Sequence, residues 1–445
     1  MTSTRVIVLD DDPTGSQTVH SCLLLTRWDV ATLREALRDE APLFFVLTNT
    51  RGMDAARAAI ITHEVCHNLR QALKALQQES TTLHPIFVSR SDSTLRGHYP
   101  VETDVMAEEL GPFDAHFLVP AFFEGGRITR DSVHYLIVGG EPVPVHETEF
   151  ARDSVFAYTH SYLPDYVEEK TKGRIKAGQV ERFLLSDVRG DCLERLMRLN
   201  HNVCCVVDAE TQADLDNFAG QLRTAAGRGK RFLFRSAASL LTSLAGLPPQ
   251  PVPADAMAEY VREGRPGAII VGSHVQKTTR QLQQLLTMPN VVPVEVDVEQ
   301  LSRDRDRVLV DILARVGHAH AVGNTPVVFT SREEKTFADQ QSRLAFGETV
   351  SAFLVDVVRK LPETIGFLIS KGGITSNDVL STGLALRASR VVGQILPGCS
   401  VVRCPEDHPR YPGLPVVIFP GNVGDDDALA TVYGRLAIRQ VASGK

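Results

Sequence analysis

Little in this chain of 445 residues points toward a membrane or a nucleic acid. No apolar run approaches the roughly 20 residues that a membrane-spanning helix needs. The opening MTSTRVIVLD carries one arginine and a run of only four apolar residues before Asp10, too short for the apolar region of a secretory signal. A cytoplasmic location is the expectation. Positive charge is in deficit, with 47 Lys and Arg against 54 Asp and Glu and a net charge of -7. The basic residues are interleaved with acids, so there is no stripe to neutralise a phosphate backbone. The seven cysteines, Cys22, Cys66, Cys192, Cys204, Cys205, Cys399 and Cys404, are odd in number and lack metal-ligand spacing, which fits reduced thiols in the core. The chain also lacks both common nucleotide fingerprints, GxxxxGK[ST] and a GxGxxG that opens a helix after a strand.

What is present is a repeated grammar. Short apolar runs end in polar or glycine-bearing turns and give way to helical patterns, which predicts an α/β fold with mostly parallel sheets flanked by helices. In the first half the runs are VIVL before Asp10, FFVL before Thr48, IFV before Ser89, FLV before Pro120, FLL before Ser186 and VCCVV before Asp208. In the second half they are AIIVG before Ser273, VVF before Thr330, FLI before Ser370 and VVIF before Pro420. The proline-rich GLPPQPVPA, residues 246–254, can sit in neither a helix nor a central strand and reads as a linker. The expected organisation is therefore a domain over 1–245, this linker, and a second domain over 255–445.

Ligands of open α/β sheets bind beyond the carboxyl ends of the strands, so the residues after each apolar run are the candidates. The first run leads to Asp10, Asp11 and Asp12, the second to TNTRG with Arg51, and the third to SRSDSTLRG with Arg90, Asp92, Ser93 and Arg96. Carboxylates accept hydrogen bonds from hydroxyls, and guanidinium forks hold a carboxylate or phosphate, so this set suits a hydroxylated acid. DDPTG read alone is equally a strand-to-helix turn with an aspartate cap, and adjacent carboxylates also suit Mg2+. Gly125, Gly126 and Arg127 form a further loop, either closing over an anion or simply on the surface.

HEVCH, His63 to His67, matches the two-histidine motif of zinc proteases. On a helix from about Asp54 to Glu79 the apolar stripe is Ile61, Val65, Leu69, Ala72, Leu73 and Leu76, which turns both histidines toward solvent. His318 and His320 have no third ligand in view. Three glycine-bearing turns in the second half could cradle phosphates: Gly272 with Ser273, the Lys371 to Thr375 loop, and Gly421 with Asn422, Gly424 and Asp425 to Asp427. Opposite a polyol-acid pocket, they suggest a kinase.

DDPTG, DSTLRG, PAFFEGGR, VVDAET, VGS, KGGITS and PGNVGDDDAL stand in the order found in the four-carbon acid sugar kinase family, which the chain resembles from Val6 to about Leu429. The resemblance implies a first domain for a tetronate-type acid, a second for ATP with Mg2+, and phosphorylation of the acid's terminal hydroxyl in a cleft between them. Residue by residue it implies Asp11 and Asp12 as catalytic acids, with Arg51, Arg90, Asp92, Ser93 and Arg96 for the substrate. For the nucleotide it implies Ser273, Gly372, Gly373, Ile374, Thr375, Gly421 and Asn422. Metal ligands stay unassigned. The chain departs from the family pattern at Pro13, Arg90, Ile374 and Phe419. Those departures leave two alternatives, a sugar-acid sensor without phosphotransfer and a kinase of a different hydroxy acid. The partner implied is a small molecule; homo-oligomerisation stays open.

Overall fold

A computed structural model describes residues 3–79, 83–273, 275–332, 340–421 and 423–437. The chain divides into two compact units, Met1–Pro249 and Gln250–Lys445, and the division falls inside the proline-rich stretch.

The strands of the first unit are β1 (Ser3–Asp10), β2 (Cys22–Leu25), β3 (Leu43–Leu47), β4 (Leu83–Arg90), β5 (Ala115–Val119), β6 (Arg127–Arg130), β7 (Val133–Val138), β8 (Glu141–Pro144), β9 (Glu181–Phe183), β10 (Val203–Val207) and β11 (Phe232–Ser236). Eight of them form a parallel sheet in the order β2-β3-β1-β4-β11-β5-β10-β9. Parallel strands are covered on both faces, which is why FFVL and VCCVV are unbroken apolar runs rather than alternating ones. The remaining three form an antiparallel sheet, β6-β7-β8, from the segment GRITRDSVHYLIVGGEPVP. The FLL run resolves differently from its expectation. Its strand ends at Phe183, Leu184 caps the next helix, and Leu185 begins it.

The second unit contains β12 (Ala268–Val271), β13 (Val291–Val296), β14 (Thr325–Thr330), β15 (Leu368–Lys371), β16 (Ala388–Leu396), β17 (Cys399–Arg403) and β18 (Pro415–Phe419). Its order is β13-β14-β12-β15-β18-β17-β16, parallel through β18 and antiparallel in the last two pairings. Pro397 and Gly398 turn β16 back into β17, with Gly398 at φ +80°. That is a turn requiring glycine at its third position. Its core joins Ile269 and Val271 of β12 to Ile369, Val417 and Phe419 and to Leu429 and Val432 of the final helix, Ala428–Ala437.

Each unit starts with the same topology. The second strand lies outermost, the third lies between it and the first, and the fourth lies on the first strand's other side. The chain thus reverses direction across the sheet at β1/β4 in one unit and at β12/β15 in the other. At such a reversal the loops diverge and leave a crevice beyond the strand ends.

Candidate functional site

In the first unit the crevice is filled by charge. Asp10 closes β1, Arg51 follows β3, Arg90 closes β4 and Arg235 is the penultimate residue of β11. Arg51 clasps Asp11 in two parallel bonds, Nη2 to Oδ1 at 2.5 Å and Nε to Oδ2 at 3.1 Å, and reaches Asp12 Oδ2 with Nη1 at 3.3 Å. The local backbone fixes this geometry, because the Arg51 amide also donates to the Asp11 carbonyl at 3.1 Å. Arg90 Nη1 lies 3.7 Å from Asp10 Oδ1 and 3.8 Å from Asp11 Oδ1. Its Nε and Nη1, like Asp10 Oδ2, have no hydrogen-bond partner.

The three consecutive aspartates differ in environment. Asp10 is wholly buried, and burial pushes its carboxyl up to about 8 against the pull of Arg90. Asp11 is 1% exposed, and burial raises it too, opposed chiefly by Arg51. The Asp12 side chain is 22% exposed. Burial works against its charge, but Arg51 and the Thr14 hydroxyl and amide, at 2.5 and 2.9 Å from Oδ1, hold it below the usual carboxylate range. Asp12 is thus the anionic carboxylate of the three that meets solvent.

The DSTLRG loop supplies the other side. Burial is again outweighed at Asp92, where Arg51 and Arg96 keep the carboxyl well below its ordinary value. Arg96 donates from Nε to Asp92 at 2.7 Å, faces Asp153 at 3.6 Å and stacks 5.0 Å from the Phe150 ring centre. Arg127 stands 6.0 Å from the same ring, and its Nη1 bonds the Gly125 carbonyl at 2.5 Å. Ser93 is buried and its carbonyl is bonded to His134 Nε2 at 2.7 Å, which ties the loop to β7.

Arg235, Glu102 and Phe150 escaped the reading of the sequence. Arg235 pairs with Glu102 and donates to Ser89 Oγ at 2.7 Å, while Glu102 accepts from Thr50 Oγ1 at 2.5 Å. This buried network joins β11, the helix Val101–Leu110, β4 and the turn after β3. Gly97, at φ +112°, lies over it, since a Cβ there would come 2.6 Å from Arg235 Nη2 and 3.0 Å from Asp11 Oδ2. FLF before Arg235 has the same form as IFV before Ser89 and was the available signal. Phe150 had none, because it stands in a single 3-10 turn, Glu149–Arg152, away from any apolar run.

In the second unit three loops meet at the β12/β15 reversal. Gly372, at φ +121°, is so close that a Cβ would come 3.1 Å from Thr375 Oγ1 and 3.2 Å from Ser273 Cβ. The Gly372 amide donates to Phe419 O at 2.8 Å, and Thr278 Oγ1 lies 3.1 Å from both Ser273 Oγ and Gly421 O. Ser273, Gly372, Thr375 and Gly421 therefore share one crevice. Gly373 begins the short helix Gly373–Asp378, and Ile374 is 69% exposed there. Asn422 lies outside the described residues. A glycine cradle of this kind, with backbone amides at a helix start, fits a polyphosphate. Beneath it, buried Lys371 donates from Nζ to Pro420 O at 2.5 Å.

His63 is exposed and paired with Glu109 at 3.0 Å, while His67 Nε2 contacts the Gln71 side-chain amide at 2.7 Å. The helix they occupy, Ala55–Gln78, buries Ile61, Val65, Leu69, Ala72 and Leu76. His320 is bonded to Thr364 Oγ1 at 2.9 Å. Among the described residues no three His, Cys, Asp or Glu side chains converge as a cation site. All seven cysteines are buried and none forms a disulfide, and among the described residues no helix is long and apolar enough to cross a membrane.

Residues 6–244 match the model of a sugar-binding N-terminal domain and residues 268–429 that of a nucleotide-binding C-terminal domain. The chain is 24% identical to a D-erythronate kinase of Heliobacterium modesticaldum over 96% of both proteins. It is 31% identical to a D-threonate kinase of Bordetella bronchiseptica, over 35% of this chain and 37% of that one. A Salmonella typhimurium LT2 protein described as a tRNA synthase superposes with a TM-score of 0.71, covering 96% of this chain and 98% of that one. At 18% identity that likeness speaks for the fold alone. With both domain models matched in order and the acid-arginine crevice lying in the first, the chain belongs to the four-carbon acid sugar kinase family.

Proposed function

We propose that the protein is an ATP-dependent kinase of the terminal hydroxyl of a four-carbon sugar acid of the tetronate or 3-oxo-tetronate type. The observation that carries this reading is the convergence of Asp11, Asp12, Arg51, Arg90, Asp92 and Arg96 at the β1/β4 reversal of the sugar-binding domain. The kinase names of the two relatives support it.

The side chains divide the work by exposure. Arg51 and Arg96, 17% and 23% exposed, reach the surface and hold the substrate carboxylate. Arg90 stays beneath them and compensates Asp10 and Asp11. Asp92 fixes Arg96, and Ser93 belongs to the loop that frames the acid. Asp12 orients the attacking hydroxyl and accepts its proton as the new oxygen–phosphorus bond forms and the bond to the leaving ADP breaks. Asp11, enclosed and held by both arms of Arg51, is a positioning residue.

ATP supplies the phosphoryl group when bound. Ser273 and the backbone amides of Gly373, Ile374, Thr375 and Gly421 are assigned to its phosphates, while Gly372, whose own amide is committed to Phe419 O, lets the chain approach them without a side chain. Asn422 is assigned there on the family resemblance alone. Phosphoryl transfer asks for positioning and charge neutralisation more than covalent chemistry, which suits such a cradle. Mg2+ is assigned to the phosphates rather than to a protein cage, because no three-ligand cluster exists among the described residues.

A coupled ADP-release assay across erythronate, threonate and 3-oxo-tetronate isomers tests the proposal. Turnover on at least one is expected. Demonstrable acid binding with no turnover on any at saturating ATP overturns it in favour of a sensor.

A further inference from the structure

Among the described residues of the second unit, Lys371 is the charged side chain that is buried. It is the last residue of β15, pairs in register with Val271 and Phe419, and is fully buried. Its ammonium donates to the carbonyls of Pro420 at 2.5 Å and Gly421 at 3.3 Å and stands 4.0 Å from the centre of the Phe419 ring. Two carbonyl dipoles and a ring face are partial counter-charges only, and among the described residues no carboxylate pairs with it. A buried cation without an anion is costly, and burial pulls this lysine down to about 7. The other titratable groups facing it are the Cys399 thiol on β17, itself pushed up to about 12 and hence neutral, and Lys277 on the helix Gln276–Leu285.

The geometry shows what the ammonium does to the loop. The peptide joining Pro420 to Gly421 is trans, so its N–H points opposite to its C=O. With the Pro420 oxygen drawn onto Lys371, the Gly421 amide is turned away from the lysine. The Gly421 oxygen is held back as well, by Lys371 and by Thr278 Oγ1 at 3.1 Å. Lys371 thus sets the direction in which this loop presents its donor.

We infer that Lys371 is the positioning residue of the nucleotide's phosphate chain, aiming the Gly421 amide at it and gaining from it the counter-charge that the protein withholds. The inference rests on the nucleotide reading above and adds a consequence to it. A polyphosphate arriving in the crevice favours the charged lysine, so binding takes up a proton. Affinity then falls as pH rises above the value of the free lysine, approaching about tenfold per pH unit until the value in the complex is passed.

The test measures ADP and nonhydrolysable ATP analogue binding to the full chain between pH 7.5 and 9, above the range in which the phosphates themselves titrate. Calorimetry in buffers of different ionisation heat reads the proton. Wild type is expected to weaken with pH and to take up a proton. Lys371→Met is expected to bind at least tenfold more weakly at pH 7.5, with a flat profile, and Lys371→Arg to recover part of the affinity, also with a flat profile. Far-UV circular dichroism and the thermal unfolding profile of the full chain should be alike in all three, which separates this effect from unfolding of the second unit, and the sugar acid should bind all three alike. A wild-type affinity that is constant from pH 7.5 to 9 overturns the inference whatever the variants do. So does Lys371→Met with wild-type affinity, and in that case the nucleotide reading survives. Wild type that binds no nucleotide overturns both.

Discussion

Replacing Arg51 by methionine separates the electrostatic account of the first crevice from a merely steric one. Arg51 is the chief counter-charge of Asp11, whose side chain is 1% exposed. Removing one partner of a buried pair costs about 3–5 kcal/mol, because the other charge is left uncompensated. Arg90 Nη1 remains 3.8 Å from Asp11, so the low end, about 3 kcal/mol, is expected at pH 8. For a unit of about 250 residues this is a fall in melting temperature of about 6–12 °C.

The sign of the pH dependence is fixed by the same geometry. Burial already raises Asp11, and loss of Arg51 removes the main opposition, so in the variant its folded pKa stands above the unfolded one. Such a group contributes stability below the unfolded value and loses it as pH rises through the folded value. The deficit of Arg51→Met against wild type should therefore be small near pH 5 and complete by pH 8. The single tryptophan, Trp28, lies in the first unit, bonded to Glu64 at 3.1 Å, so its fluorescence reports this unit's unfolding. Adding Asp11→Asn to the variant removes the stranded charge and should restore about 2 kcal/mol at pH 8. A loss below about 1 kcal/mol at pH 8, or one of equal size at both pH values, refutes the reasoning.

Three further outcomes follow from individual contacts. Burial raises Asp10 to about 8, above its unfolded value, so its contribution to stability declines from about pH 4 to 8. Asp10→Asn should gain on wild type over that interval in the same melts, by at most about 1.4 kcal/mol per pH unit, and a constant gap would mean that Asp10 is ionised throughout. Arg96→Lys loses the planar fork against Asp92 and the stacking on Phe150, and should raise KM for the acid roughly tenfold with KM for ATP unchanged. An unaltered acid KM removes Arg96 from the substrate site. His63→Ala touches an exposed ion pair and should leave turnover within about twofold, whereas loss of activity together with loss of bound zinc would revive the metal reading of HEVCH.

The parallel sheets were legible because their strands are buried on both faces and so appear as continuous apolar runs, as in VIVL, FFVL and VVIF. The loops after them were legible by rule, since a strand's carboxyl end is where polar residues collect. The runs that lack that form were harder. The antiparallel pair Ala388–Leu396 and Cys399–Arg403 mixes polar and apolar residues, and the hairpin sheet from Arg127 to Pro144 resembles a glycine loop followed by nothing regular. Phe232–Ser236 escaped although it is apolar, and with it went Arg235 and the network to Glu102.

The sequence alone determined the α/β class, the order of the strand ends and the family, because these depend on local runs and on short motifs kept in order. It could not rank Asp10, Asp11 and Asp12, which are adjacent and chemically identical. Their difference arises mainly from residues 39 to 80 positions away: Arg51 grips Asp11, and Arg90 faces Asp10 across neighbouring strands. Thr14 and Arg51 leave Asp12 charged at the surface. Likewise Lys371 reads as one more loop lysine until β15 lies beside β18 and puts the Pro420 carbonyl over its ammonium. Burial and the orientation of nearby dipoles decide the charge state of such groups, and both are properties of the packed chain.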